Sequence, residues 1–207
     1  MNILVGIVMA LAELSGALIF LKTKSTVKKV SLACFGLGFA AIVVLMDILP
    51  DAVYGYPYGF LMCMLGGLLV YWVDRYGTNI GGYAAVSGMG IHNFCEGIIL
   101  TVLGSGISPV VAAALLLHKF PEGIVSLSLL KNARYRMGIV TFISLLIPLG
   151  AFMSLPGYIK HPVLALGSGV ILFVVSSSLA RVLSEHYEYT MPAVVGAMLG
   201  VAVCCLI

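Results

Sequence analysis

Two heptapeptides in the chain carry residue types suited to holding a metal ion: HNFCEGI, from His92 to Ile98, and HKFPEGI, from His118 to Ile124. Five of their seven positions are identical. In each copy the histidine precedes the glutamate by four residues, which puts both side chains on one face of a helix. One such pair could simply hydrogen-bond across a helix interface. The duplicated pair offers two imidazoles and two carboxylates. That mixed set suits Zn²⁺ and its first-row neighbours, whereas Mg²⁺ and Ca²⁺ favour all-oxygen sites and Cu(I) favours thiolates. The candidate ligands are therefore His92, Glu96, His118 and Glu122.

The elements carrying these motifs must lie in lipid. The chain has 207 residues, of which 61% are hydrophobic and 9% charged, too few polar groups to cover a solvated surface. Apolar runs at 2–21, 30–50, 58–73, 80–104, 107–130, 137–155, 162–180 and 190–207 each approach the roughly 20 residues a helix needs to cross hydrocarbon. The pattern predicts an all-α polytopic membrane protein, a single transport domain over 1–207 with eight transmembrane helices. The heptapeptides fall in the fourth and fifth spans. A short connection makes those two spans antiparallel, and a turn near Gly106 lies 14 residues after His92 and 12 before His118. At 1.5 Å per residue both histidines then sit roughly 20 Å from that turn, close to the bilayer centre.

Charged carboxylates at that depth cost a few kcal/mol each on insertion scales, so they require a cation or protons. A dication satisfies both together. Lys119, three residues before Glu122, brings an internal ammonium to the same region.

Few charges remain, and their placement orients the chain. Alternating the connections puts Lys22, Lys24, Lys28, Lys29, Arg75, Lys131, Arg134, Arg136 and Arg181 on one side and only Lys160 in a loop on the other. The rich side is expected to be cytoplasmic, with both termini outside. No positive charge precedes the first apolar run, which reads as a retained span and not as a signal peptide. A net charge of +3 dispersed over the connections argues against nucleic acid as a partner. The five cysteines, at 34, 63, 95, 204 and 205, lie in apolar runs without finger or disulfide spacing and read as packing thiols. The 24 glycines are scattered through the spans and form no dinucleotide or phosphate-binding fingerprint; they predict close helix packing.

The two heptapeptides resemble motifs of the ZIP (Zrt-, Irt-like protein) family of metal transporters, whose fourth and fifth spans carry HNxPEG-like and HxxPEG-like sequences. The likeness extends to eight spans with outward termini, a second span ending MDILPDA, and a sixth with a proline-glycine turn at Pro148 to Gly150. It implies transport of a divalent transition metal ion, Zn²⁺ first, with Fe²⁺, Mn²⁺, Cd²⁺ and Co²⁺ as alternatives. The direction implied is into the cytoplasm across a plasma or inner cell membrane, by alternating access, with no cofactor and no enzymatic activity. The family includes homodimers.

The resemblance further implies that His92, Glu96, His118 and Glu122 bind the ion, and Asn93 matches a pattern associated with an adjacent second metal. Lys119 stands where members with that second metal carry an acidic residue, and Ile147 where they tend to carry glutamate. Both departures imply one metal, with Lys119 in the electrostatic place of the second. Cys95 replaces the fourth-span proline, whereas Pro121 is kept and should bend the fifth span beside His118.

Asp47 and Asp51, at the outer end of the second span, are expected to draw dications to an entrance. Glu13 is an intramembrane carboxylate and hence a functional candidate, with no role selected by the sequence. Met46 and Met89 offer thioethers, although packing outweighs ligation for methionine in an apolar span. Ser176, Ser177 and Ser178 occupy positions where family members often carry acidic residues. Beyond them, Arg181, Glu185, His186 and Glu188 fit either a group receiving departing ions or a charged boundary anchored by Tyr187 and Tyr189. Two other classes share the ligand chemistry. A metal-dependent hydrolase would need an open coordination position and neither motif reads HExxH; a sensor would hold its ion tightly without flux.

Overall fold

Each apolar run is helical over most of its described residues. The computed structural model describes residues 2–76, 83–103, 109–130, 135–153, 156–185 and 187–205. Its α-helices are α1 (Asn2–Lys22), α2 (Thr26–Val43), α3 (Leu49–Tyr54), α4 (Gly59–Tyr76), α5 (Tyr83–Leu103), α6 (Pro109–Leu129), α7 (Arg136–Phe152), α8 (Lys160–Glu185) and α9 (Thr190–Cys204). No strand occurs among the described residues. The turn expected near Gly106, together with Lys131 and Arg134, lies outside the described residues.

Local chemistry explains the breaks. Ser25 caps α2 by accepting a hydrogen bond from the Lys28 amide at 3.4 Å, satisfying one of the helix's free N-terminal donors. A π turn over Val44–Ile48 joins α2 to α3, and the Leu49 amide donates to the Val44 carbonyl. Pro50 follows at once; it has no N–H to donate and its ring crowds the carbonyl four residues back. The wider turn lets the helix continue past that crowding.

Among the described residues, four segments are long and apolar enough to cross a membrane by length and composition: Ile3–Lys22, Thr26–Met46, His161–Glu185 and Tyr187–Cys204. Arg136–Phe152 is apolar and shorter. Large apolar side chains point outward along the helices, among them Leu4, Leu11, Phe60, Trp72, Val195 and Met198. An outer surface of that kind suits an apolar solvent, and helices satisfy their own backbone groups, which lipid cannot do.

The helices pack most closely in pairs, and the pairs form two groups. In one, α1 lies along α6 and α7, and α5 along α7; in the other, α2 lies along α9 and α4 along α8. The groups meet where α5 crosses α8 and α2 crosses α6. Within each group the helices are clamped by glycine. A Cβ at Gly16 would strike the Phe120 carbonyl oxygen, and one at Gly123 would strike that of Glu13. The same reciprocal arrangement joins α5 to α7 through Gly97 and Gly150, α4 to α8 through Gly66 and Gly169, and α2 to α9 through Gly38 and Gly196. Only a residue without a side chain lets two helix backbones approach so closely. Between the groups the contacts are looser: a Cβ at Gly88 would meet the side chains of Val174, Val70 and Val170, one at Gly167 the side chain of Cys95, and one at Gly36 the Pro121 carbonyl oxygen at 3.0 Å.

Candidate metal centre

The clamps of the first group explain the invariant parts of the two heptapeptides. Gly97 and Gly123 seat α5 against α7 and α6 against α1, and the carbonyls of Phe94 and Phe120 receive the answering glycines Gly150 and Gly16. With the backbones pinned there, the histidine and glutamate of each copy project from the other side of the helix towards each other. Pro121 lies within α6 as expected.

The two copies interleave. His92 Nε2 of α5 stands 3.4 Å from Glu122 Oε1 of α6, and His118 Nε2 of α6 stands 2.8 Å from Glu96 Oε1 of α5. His118 Nε2 also lies 3.9 Å from Glu122 Oε1. His92, Glu96 and Glu122 each present a ligand atom, all within 4.8 Å of one another. All four residues are buried. The 3.4 Å contact of His92 Nε2 with Glu122 Oε1 is longer than a good hydrogen bond, which leaves this buried nitrogen poorly satisfied. Zn²⁺ holds imidazole nitrogen and carboxylate oxygen at about 2.0–2.2 Å, so modest closure of this group would accommodate it. Three of the four expected ligands, His92, Glu96 and Glu122, form this group, and His118 stands beside it on Glu96.

Lys119 is wholly buried at the inner edge of the cluster. Its ammonium pairs with Glu96 and, at 2.5 Å, with Glu122 Oε2. It also donates to Asn93 Oδ1 at 2.9 Å. Asn93 turns its amide away from the four-residue cluster: Nδ2 donates to Glu13 Oε1 and Oε2 at 3.2 and 2.9 Å and to the Ile143 carbonyl at 3.1 Å. Glu13, whose role the sequence left open, is thereby the far end of a chain running Glu13, Asn93, Lys119 and the two glutamates. It too is wholly buried.

Other candidates are placed elsewhere. Met89 is buried in the main apolar cluster and Met46 is half exposed. Cys95 is buried against Gly167 of α8. The side chains of Asp47 and Asp51 and all of His186 lie outside the described residues. Ser177, Ser178, Arg181 and Glu185 line a cavity of about 420 Å³ between the two groups. Its mouth also carries Lys29, Asp74 and Arg136, and its inner wall is formed by Leu37, Val70, Leu127 and Val174. Ser176 and Glu188 are exposed. The cavity was not anticipated, because its walls come from helices distant in sequence.

No protein-family model and no curated protein matches this chain.

Proposed function

We propose that the protein carries a divalent transition metal ion, Zn²⁺ before others, into the cytoplasm through His92, Glu96, His118 and Glu122, as a transporter of the ZIP type with eight spans and outward termini. The observation that carries this reading is the interleaving of two matching half-sites, with His92 Nε2 and oxygens of Glu96 and Glu122 buried within 4.8 Å of one another. Burying two glutamates, two histidines and a lysine in an apolar helical protein is expensive unless the group binds something charged. A structural polar network would satisfy its members closely, and here the His92 imidazole is held by a long contact to Glu122.

The basic residues described at helix ends support the orientation: Lys22, Lys28, Lys29, Arg75, Arg136 and Arg181 belong to the same set of connections. The cavity between the groups is lined by three of them, Lys29, Arg136 and Arg181, and gives an ion a hydrated way out on that side. The two helix groups supply the moving parts. Glycine clamps make each helix pair a rigid unit, and α1 packed along α7 joins the two pairs of the first group, while side-chain contacts at Gly88 and Gly167 can slide. Rocking one group past the other would expose the buried centre to either side in turn. Lys119 pairs with Glu96 and Glu122 in the place of a second metal.

Uptake of zinc into proteoliposomes tests the proposal. The intact protein should give saturable flux, and Glu96→Ala and His118→Ala variants that insert and remain monodisperse should lose it. Tight binding without flux in the intact protein would favour a sensor, and zinc-dependent hydrolysis of added peptide or ester would favour a hydrolase.

A further inference from the structure

The clamps allow the two motif helices to be compared position by position. On α5, Phe94 and Gly97 face Ile147 and Gly150 of α7; on α6, Phe120 and Gly123 face Glu13 and Gly16 of α1. In this correspondence His92 answers to His118, Glu96 to Glu122, Asn93 to Lys119, and Ile147 to Glu13. The ligands repeat. The two charged residues that break the repeat, Lys119 and Glu13, have opposite signs.

They are also physically linked. Asn93 bridges them, donating from Nδ2 to both Glu13 oxygens and accepting from the Lys119 ammonium at Oδ1. Lys119 and Glu13 are both without solvent exposure, so neither charge is answered by water. An ammonium added to one half-site would cancel half of the negative charge that the two ligand glutamates supply. The carboxylate on α1 returns it.

We infer that Glu13 is a specificity-determining residue of the centre: it compensates Lys119 so that the buried cluster carries two negative charges and is neutral only when a dication is bound. With the imidazoles neutral, as ligation requires, three carboxylates (Glu13, Glu96, Glu122) and one ammonium (Lys119) leave that charge. Glu13 acts through the field and touches no ion itself. The inference rests on the dication reading above and assigns the charge selectivity of that same site.

Glu13→Gln removes the charge and keeps the shape. Zinc titration of the purified protein should show Kd raised at least about tenfold, because a unit charge within the buried cluster acts through a medium much less polar than water. Adding Lys119→Met to Glu13→Gln removes both symmetry-breaking charges, and the double variant should return to within about threefold of the original Kd, a non-additivity that reports direct coupling. Unchanged zinc affinity in Glu13→Gln would overturn the inference. So would weakened affinity that Lys119→Met fails to restore, since Glu13 would then only hold Asn93 in place. If the unaltered protein binds no zinc, the transport reading falls and this inference with it; zinc binding by the unaltered protein with either of the other two results overturns the inference alone. Thermal unfolding of the metal-free variants checks that each is folded.

Discussion

The two helix groups are built by the same device and filled with opposite contents. Each is held by paired glycines resting on carbonyls of the neighbouring helix. In the group of α1, α5, α6 and α7 the interior holds Glu13, His92, Asn93, Glu96, His118, Lys119 and Glu122; in the group of α2, α4, α8 and α9 the buried polar residues described are Ser168 and Ser178. The difference teaches that backbone clamping and chemistry are separable in this fold. One group is a rigid apolar frame, and the other spends the same rigidity on holding ionisable side chains where lipid would otherwise exclude them.

The strongest way to sharpen this contrast is to remove a polar residue from each interior. Glu122→Ala strips Lys119 of a close partner, and breaking a buried ion pair from one side costs about 3–5 kcal/mol; it also removes a ligand, so zinc binding should be abolished. Ser168→Ala in the frame removes a neutral hydroxyl that donates to the Ala165 carbonyl of its own helix and meets the Cys63 thiol of α4, and should cost about 1 kcal/mol. Thermal unfolding and zinc titration measure both. Equal destabilisation by the two variants would contradict the division.

Next come the clamps. Gly123→Ala and Gly196→Ala each place a methyl group on a carbonyl oxygen of the facing helix, and overpacking of that kind costs about 1–3 kcal/mol or more. Similar losses of thermal stability are expected from both, while only Gly123→Ala should weaken zinc binding. A frame variant that weakened zinc binding as much would show that the groups do not act separately.

The smallest effect on stability is expected between the groups. At Gly88 an added methyl meets only valine side chains, the nearest at 3.0 Å, so Gly88→Ala should shift stability by about 1 kcal/mol or less. If the groups slide there, zinc flux should slow severalfold with Kd unchanged. Flux equal to that of the unaltered protein would place the moving surface elsewhere.

Much of this arrangement was legible in the sequence because it is local. The four-residue spacing of histidine and glutamate sets a common face on any helix, and the apolar runs coincide with α1 to α9 closely in their limits. The facing of the two motifs followed from their similar depth. What could not be read is what depends on three-dimensional neighbours. Glu13 and Asn93 are 80 positions apart, and nothing near Glu13 distinguishes it from a carboxylate awaiting some other partner. The glycines were visible as packing residues, but which eight seat on carbonyls depends on helix pairing, which hydropathy does not encode. The pattern that linked Asn93 to a second metal is silent on its amide, which the structure commits to Glu13, Ile143 and Lys119.

The cavity between the groups also alters where the centre lies electrically. At about 420 Å³ with a charged mouth, it has room for roughly a dozen water molecules at ~30 Å³ each. Water conducts the potential of the adjoining solution inward, so with the protein in a bilayer the membrane voltage drops mainly across the remaining dry layer. That voltage acts with about 2.3 kcal/mol per elementary charge per 100 mV over the full thickness. The inner wall reaches Leu127, five residues along α6 from Glu122. A charge held at the geometric middle of the helices therefore sits, in electrical distance, nearer the basic face than the opposite one.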